Sequence, residues 1–159
     1  MGEVTVRVAS AEDCETLIRL MEGLAAYEKL TPPDDAAKER FRTDLASGER
    51  FEALLAERDG EAIGYTLYFE TYSTFRASPK LYMEDLFVDP AHWQSGAGFA
   101  LFMAVVQAAD RRGCTAIEWN VLDWNQRAID FYNRVGGRHE VEWPQYELDR
   151  AGMDALLGG

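Results

Sequence analysis

Hydrophobic residues alternate at Val4, Val6 and Val8 with Thr5 and Arg7 between them, the period of two expected of a half-buried strand. Ser10-Ala11-Glu12-Asp13 then has the form of a capping box and predicts a helix start. Leu17, Ile18, Met21, Leu24 and Ala25 recur at helical spacing and gather on one face, until Thr31-Pro32-Pro33 ends the run. Asp34 or Asp35 caps a second, shorter helix that carries Phe41 and Leu45 and closes near Gly48. The β-prone runs Phe51 to Glu57 and Ala62 to Tyr72 flank Arg58-Asp59-Gly60-Glu61, and Asp-Gly in that setting predicts a hairpin.

Leu81 to Val88 is a nearly continuous apolar run broken by Glu84 and Asp85 and stopped by Asp89-Pro90, which predicts a central strand with a polar middle. Gly96-Ala97-Gly98 opens a helix with Leu101, Phe102, Val105, Val106 and Ala109 on one face, closed by Arg111-Arg112-Gly113. With a strand at Thr115 to Val121 this makes a βαβ unit, whose strands run parallel. Asn125 caps a last amphipathic helix that ends at Gly136-Gly137, and Val141 to Leu148 is expected to return as an edge strand. The predicted order is β-α-α-β-β-β-α-β-α-β, an α/β fold with a mixed sheet, in one domain over residues 1–159.

A chain of 159 residues with 47% hydrophobic content can bury one core. Its 16 Lys and Arg against 28 Asp and Glu leave a net charge of −12, which disfavours nucleic acid and anionic membranes as partners and suits a cationic small molecule. Cys14 and Cys114 stand a hundred positions apart without CxxC spacing, so no metal site is expected. The opening residues lack an apolar leader core and no run is long enough to span a membrane, so a cytoplasmic protein with reduced thiols is expected.

Candidate chemistry starts where the central strand ends. A strand, the loop Ala91 to Ser95 and Gly96-Ala97-Gly98-Phe99 at a helix start place backbone N–H groups where an anion such as a pyrophosphate fits. The pattern is neither the dinucleotide fingerprint nor the phosphate loop. Glu84 and Asp85 point to opposite faces of an ideal strand, so one faces the core side and the other a substrate cleft, where a carboxylate binds an ammonium and takes its proton. An ion pair with Lys80 or an arginine would give these acids a structural role instead.

With its V-x-P strand end, Gly-x-Gly turn and Asn-capped helix ending in Phe131-Tyr132, the chain resembles the GCN5-related N-acetyltransferases. Leu81 to Val88, Tyr72-Ser73-Thr74-Phe75 and above all Asp123 to Tyr132 resemble the diamine acetyltransferase branch, which includes enzymes acting on spermidine, spermine and thialysine. The likeness runs from Val4 to about Leu148. It implies the acyl-CoA N-acyltransferase fold and direct transfer of acetyl from acetyl-CoA to a primary amine. The amine would be a thialysine- or lysine-like amino acid, a diamine or a polyamine. Leu86, Phe87 and Val88 would hold the pantetheine arm, Gln94, Ser95, Gly96, Ala97, Gly98 and Phe99 the pyrophosphate, and Asn125, Gln126, Arg127 and Ala128 further parts of the cofactor. Glu84 is the implied base or amine anchor and Tyr132 the acid that protonates the CoA thiolate. Tyr27, Glu28, Glu118, Trp119 and Asn120 match positions lining the acceptor site, and a homodimer is implied.

Two departures stand out. Trp93 occupies the place where the superfamily carries Arg or Gln, and Phe99 one where a small or polar residue is common, which keeps open a non-catalytic acyl-CoA-binding module. Ser73-Thr74-Phe75 lacks the acid with which the spermidine/spermine enzyme receives a polycation, which favours a shorter amine. An acetyltransferase acting on protein or peptide amines is a third reading.

Overall fold

A computed structural model describes residues 2–158, which fall into two compact units divided between Asn120 and Val121. In the first unit the elements are β1 (Thr5–Val8), α1 (Cys14–Glu28), α2 (Asp35–Ser47), β2 (Glu52–Arg58), β3 (Glu61–Ser73), β4 (Ser78–Val88), α3 (Ala97–Arg111) and β5 (Ile117–Glu118). The sheet order is β1-β2-β3-β4-β5, antiparallel except for the parallel pair β4–β5 that the βαβ reading requires.

Local chemistry explains the boundaries. Asp13 accepts the Ser10 N–H at 2.7 Å in front of α1, and the Arg7 guanidinium at 2.8 Å holds its carboxyl down at about 2. Asp34 accepts the Ala37 N–H to start α2, which ends on left-handed Gly48. Between β2 and β3, Asp59 and Gly60 both have positive φ (53° and 80°), the geometry of the tight hairpin turn.

Strand alternation sorts the sheet into two faces. Leu55, Tyr65, Leu67 and Phe87 meet Leu17 and Leu20 of α1, with Phe41 and Leu45 of α2 alongside. Leu54, Tyr68, Val6 and Val8 lie on the other face near Ala100, Met103 and Ala104 of α3. Close approach is enforced by glycine at one point in the sheet. A Cβ on Gly64 would stand 2.6 Å from the Phe87 carbonyl oxygen, so β3 and β4 come together there only without a side chain.

In the second unit, α4 (Gln126–Arg134) starts at Asn125 and α5 (Arg150–Leu157) at Asp149, whose carboxylate accepts the Gly152 N–H. The expected edge strand at Val141 to Leu148 is corrected: among the described residues no strand follows β5, and the chain ends in a helix instead. Pro144 in the middle of that segment has no N–H to give a ladder, and Val141, Trp143 and Tyr146 are exposed. The expected strand at Thr115 to Val121 is shortened to Ile117–Glu118. No helix among the described residues is long and apolar enough to cross a membrane.

Candidate active site

The polar middle of β4 is a β-bulge. Leu67 pairs with Asp85 and Tyr68 with Met83, so Glu84 is the extra residue with no partner on β3. An inserted residue frees strand backbone groups and re-aims side chains, and such bulges collect at functional sites. Here the Thr66 hydroxyl, fully buried, donates to the Asp85 carbonyl at 2.7 Å, and the buried Tyr65 hydroxyl donates to the Asp85 carboxylate at 2.9 Å. Asp85 is thus fixed from β3 through both its main chain and its side chain, while neighbouring Glu84 is exposed. The two acids differ in exposure because of the bulge and not through the alternation of an ideal strand, which the extra residue interrupts.

Around this point acids accumulate on the face covered by α1. Burial, with the charges of Glu84 and Glu28 added, pushes the Asp85 carboxyl up to about 6, partly offset by the Tyr65 hydrogen bond. Burial likewise raises Glu28 at the end of α1. Tyr82 is raised by burial and then by Glu84, Glu118 and Asp85, so these carboxylates surround one short stretch of β4. Lys80 does not pair with Glu84 or Asp85; its ammonium lies 2.6 Å from Glu118 on β5. Carboxylates gathered in this way are chemically able to bind an ammonium and accept its proton.

The sign of the Asp85 shift gives a prediction. A carboxyl whose pKa is higher in the folded protein than its ordinary ~3.9 binds more protons folded than unfolded between those values, so its contribution to stability falls as pH rises from about 4 to 6. Asp85→Asn keeps an acceptor for Tyr65 and removes the half-buried charge. Thermal and urea unfolding at pH 7.5 are expected to show it roughly 2 kcal/mol more stable than the parent, with the difference closing below pH 4. A variant less stable at both pH values would contradict this.

Beside the acids the sheet opens. The β4–β5 ladder spans Leu81↔Ile117 and Tyr82↔Glu118 among the described residues, leaving the Met83 to Val88 edge of β4 without a strand partner. The Asp89 N–H bonds the Ile63 carbonyl, so by alternation the main chain of Phe87 faces β3 while the N–H groups of Leu86 and Val88 face the open edge. Phe87 instead contributes its buried ring, packed against Tyr65.

The loop after β4 has an unusual backbone. Gln94 adopts φ 69°, unusual for a residue with a side chain, and Gly96 φ 88° with open space where a Cβ would stand. Ser95 accepts the Ala97 N–H at 3.2 Å, and the N–H groups of Gly98 and Phe99 belong to the first turn of α3, where no intrahelical acceptor exists. The two departures resolve differently. Trp93 is a structural post: its indole N–H donates to the Val88 carbonyl at 3.0 Å and its ring meets Tyr27 edge-on at 5.7 Å. Phe99 is exposed on that first turn. Amides along an open strand edge followed by helix N-terminal donors fit an extended amide-bearing arm that ends in a diphosphate.

Of the remaining predicted residues in this unit, Trp119 packs edge-on to Phe102 and Asn120 follows it. In the second unit Asn125 accepts the Ala128 N–H at 3.3 Å, Gln126 donates to Asp130 at 2.7 Å, and Arg127 lies in the first turn of α4. The Phe131 and Tyr132 rings meet at 5.4 Å, and the Gly137 N–H closes the helix on the Tyr132 carbonyl. Sequence reasoning missed Tyr65 and Thr66 as the partners of Asp85. A buried hydroxyl pair opposite an acid in the next strand was the available signal.

The sequence profile of the acetyltransferase (GNAT) family matches residues 16–137. The thialysine N-epsilon-acetyltransferase of Sus scrofa is 33% identical over 170 residues, covering 99% of both chains. The L-ornithine N5-acetyltransferase NATA1 of Arabidopsis thaliana is 30% identical over 125 residues, which cover 79% of this chain and 50% of that one. Among solved structures, an integron cassette protein from V. cholerae superimposes with TM-score 0.82 at 19% identity over 99% of each chain. An aminoglycoside acetyltransferase from an uncultured soil metagenomic sample superimposes with TM-score 0.76 at 20% identity, over 92% of this chain and 97% of that one. The bulged strand, its open edge and the glycine turn at the head of α3 therefore belong to a member of the GNAT acetyltransferase family.

Proposed function

We propose that the chain moves acetyl from acetyl-CoA directly to the primary amine of a small molecule such as a thialysine- or lysine-like amino acid or a diamine. The observation that carries this is the adjacency, on one strand, of the acids at the β4 bulge and the open amide edge at Leu86 and Val88. Carboxylates that hold an ammonium thus sit next to donors that hold and polarise a thioester carbonyl. Acetyl-CoA supplies the activated acyl group.

Glu84 takes one proton from the bound ammonium, the neutral amine forms the N–C bond as the C–S bond breaks, and the second proton, shed by the new amide nitrogen, passes through solvent to make good the one that Tyr132 gives up. The Leu86 and Val88 N–H groups bind the pantetheine edge, and the charge that gathers on the carbonyl oxygen is met by donors of this strand. Tyr132 returns a proton to the departing thiolate, a role supported by the likeness of the segment Asp123 to Tyr132. A phenol, protonated at neutral pH, can do this. Tyr27, Glu28 and Glu118 line the acceptor side, with Asn120 at the end of the same segment, while Trp119 turns to the other face and packs on Phe102 of α3. Residues 1–159 act as one catalytic domain.

The test is thiol release from acetyl-CoA at mildly alkaline pH in the presence of thialysine, lysine, ornithine, short diamines or spermidine. Release with a short amine is expected. Acetyl-CoA raising the melting temperature while no amine releases thiol would turn the reading to a non-catalytic acyl-CoA-binding module. Acetylated peptides detected by mass spectrometry would turn it to a protein amine acetyltransferase. A homodimer is part of the proposal, supported by the exposed Val141, Trp143 and Tyr146, and sedimentation equilibrium decides it. So is a cytoplasmic location, in keeping with two free cysteines, which cell fractionation decides.

A further inference from the structure

The β4–β5 ladder ends on a pair of opposite charges. Lys80 and Tyr82 alternate on β4, Tyr82 stands opposite Glu118 in register, and the Lys80 ammonium lies 2.6 Å from the Glu118 carboxylate. The Lys80 side chain is 20% exposed and that of Glu118 51%, so the cation is tucked against the sheet while the carboxylate opens to solvent. A pair this exposed adds little to the fold. It does keep spare capacity, because an ammonium has three donors and a carboxylate a second oxygen.

The pair shares its surroundings with the bulge. Tyr82 feels both Glu84 and Glu118, and its ring leans on Phe69 of the same face at 5.5 Å. Glu84 is two positions along β4 from Tyr82, the residue in register with Glu118, so the Glu118 end of the pair lies roughly 7 Å along the strand direction from Glu84, the reach of a four-carbon amine stem; Lys80 is two positions further off and comes to Glu118 through its own side chain.

We propose that Lys80 and Glu118 together read the head group of the acceptor. Lys80 takes an α-carboxylate and the free oxygen of Glu118 an α-ammonium, while the side-chain amine of the same molecule reaches Glu84. The pair then selects basic α-amino acids over the diamines left when the carboxylate is removed. A diamine brings only a second ammonium, which meets Lys80 as a like charge and leaves its donors unmatched. This inference rests on the reading of Glu84 as the amine-handling acid.

The experiment compares lysine with cadaverine and ornithine with putrescine by thiol release, for the parent, Lys80→Met, Lys80→Arg and Glu118→Gln. The parent is expected to prefer each amino acid. In Lys80→Met the ratio of kcat/KM for amino acid over diamine falls on the order of tenfold, mostly through KM, and Lys80→Arg keeps most of it. Glu118→Gln lowers the same ratio and serves as the second variant, with unchanged melting temperatures as the check on folding. A parent that prefers the diamines, or a Lys80→Met variant that leaves the ratio unchanged, overturns the inference while leaving acetyl transfer standing. If no amine releases thiol, the acetyl-transfer reading fails. Calorimetric binding of lysine against cadaverine to the parent and to Lys80→Met then decides the role of the pair separately.

Discussion

Glu84→Gln is expected to lower kcat/KM for the amine by about a thousandfold at pH 7.5, measured by thiol release at saturating acetyl-CoA. The side chain stays the same size and stays exposed on the bulge, so the melting temperature is expected to remain within a degree or two of the parent. On the proposed reading, what is lost is the group that removes a proton from an amine whose own pKa is ~10.4. That assignment carries its own pH test. If Glu84 is the base, raising the pH toward 10 supplies neutral amine from solution and narrows the deficit. If Glu84 only anchors the ammonium, the deficit sits in KM and does not narrow. A variant that keeps more than a tenth of the parent rate at pH 7.5 would remove Glu84 from the chemistry altogether.

Tyr132→Phe is expected to lower kcat by about a hundredfold and to leave KM for acetyl-CoA close to the parent value. The substitution removes one hydroxyl, keeps the ring that packs on Phe131 and leaves the Gly137 bond to the Tyr132 carbonyl intact, so α4 retains its closure. A loss confined to kcat marks an interaction made in the transition state, as proton donation to a leaving thiolate is. The decisive comparison uses acetyl donors whose thiol leaves more readily. With a less basic thiolate the need for an acid shrinks, and the parent and Tyr132→Phe should converge. Equal deficits with every donor would assign Tyr132 to packing.

How far the sequence reveals this molecule differs between its parts. The hairpin at Asp59-Gly60, the caps at Asp34 and Asn125 and the βαβ unit around α3 follow from short-range chemistry and appear where the pattern puts them. The acids of β4 were visible as an interruption in an apolar run, but the bulge that sets Glu84 apart was not. A bulge depends on the register between two strands, here on Leu67 and Tyr68 opposing Asp85 and Met83, and register is a property of the pair. The ion pair of Lys80 with Glu118 was hidden for the same reason, since 38 positions separate its members and only the parallel ladder brings them together. At Val141 to Leu148 the apolar pattern suggested a strand where Pro144 and the want of a partner left none. α5 went unread although Asp149 and Gly158 cap it, because Gly152 lies within it and weakens the helical signal.

Trp93 leaves the cofactor loop and the acceptor side in mechanical contact. Its indole N–H is tied to the Val88 carbonyl at the end of the open strand, and its ring rests edge-on against Tyr27 at the end of α1. On the proposed reading this one aromatic side chain is a contact shared by the acetyl-CoA loop and the acceptor side, and any coupling of the two substrates that passes through it is equal in both directions.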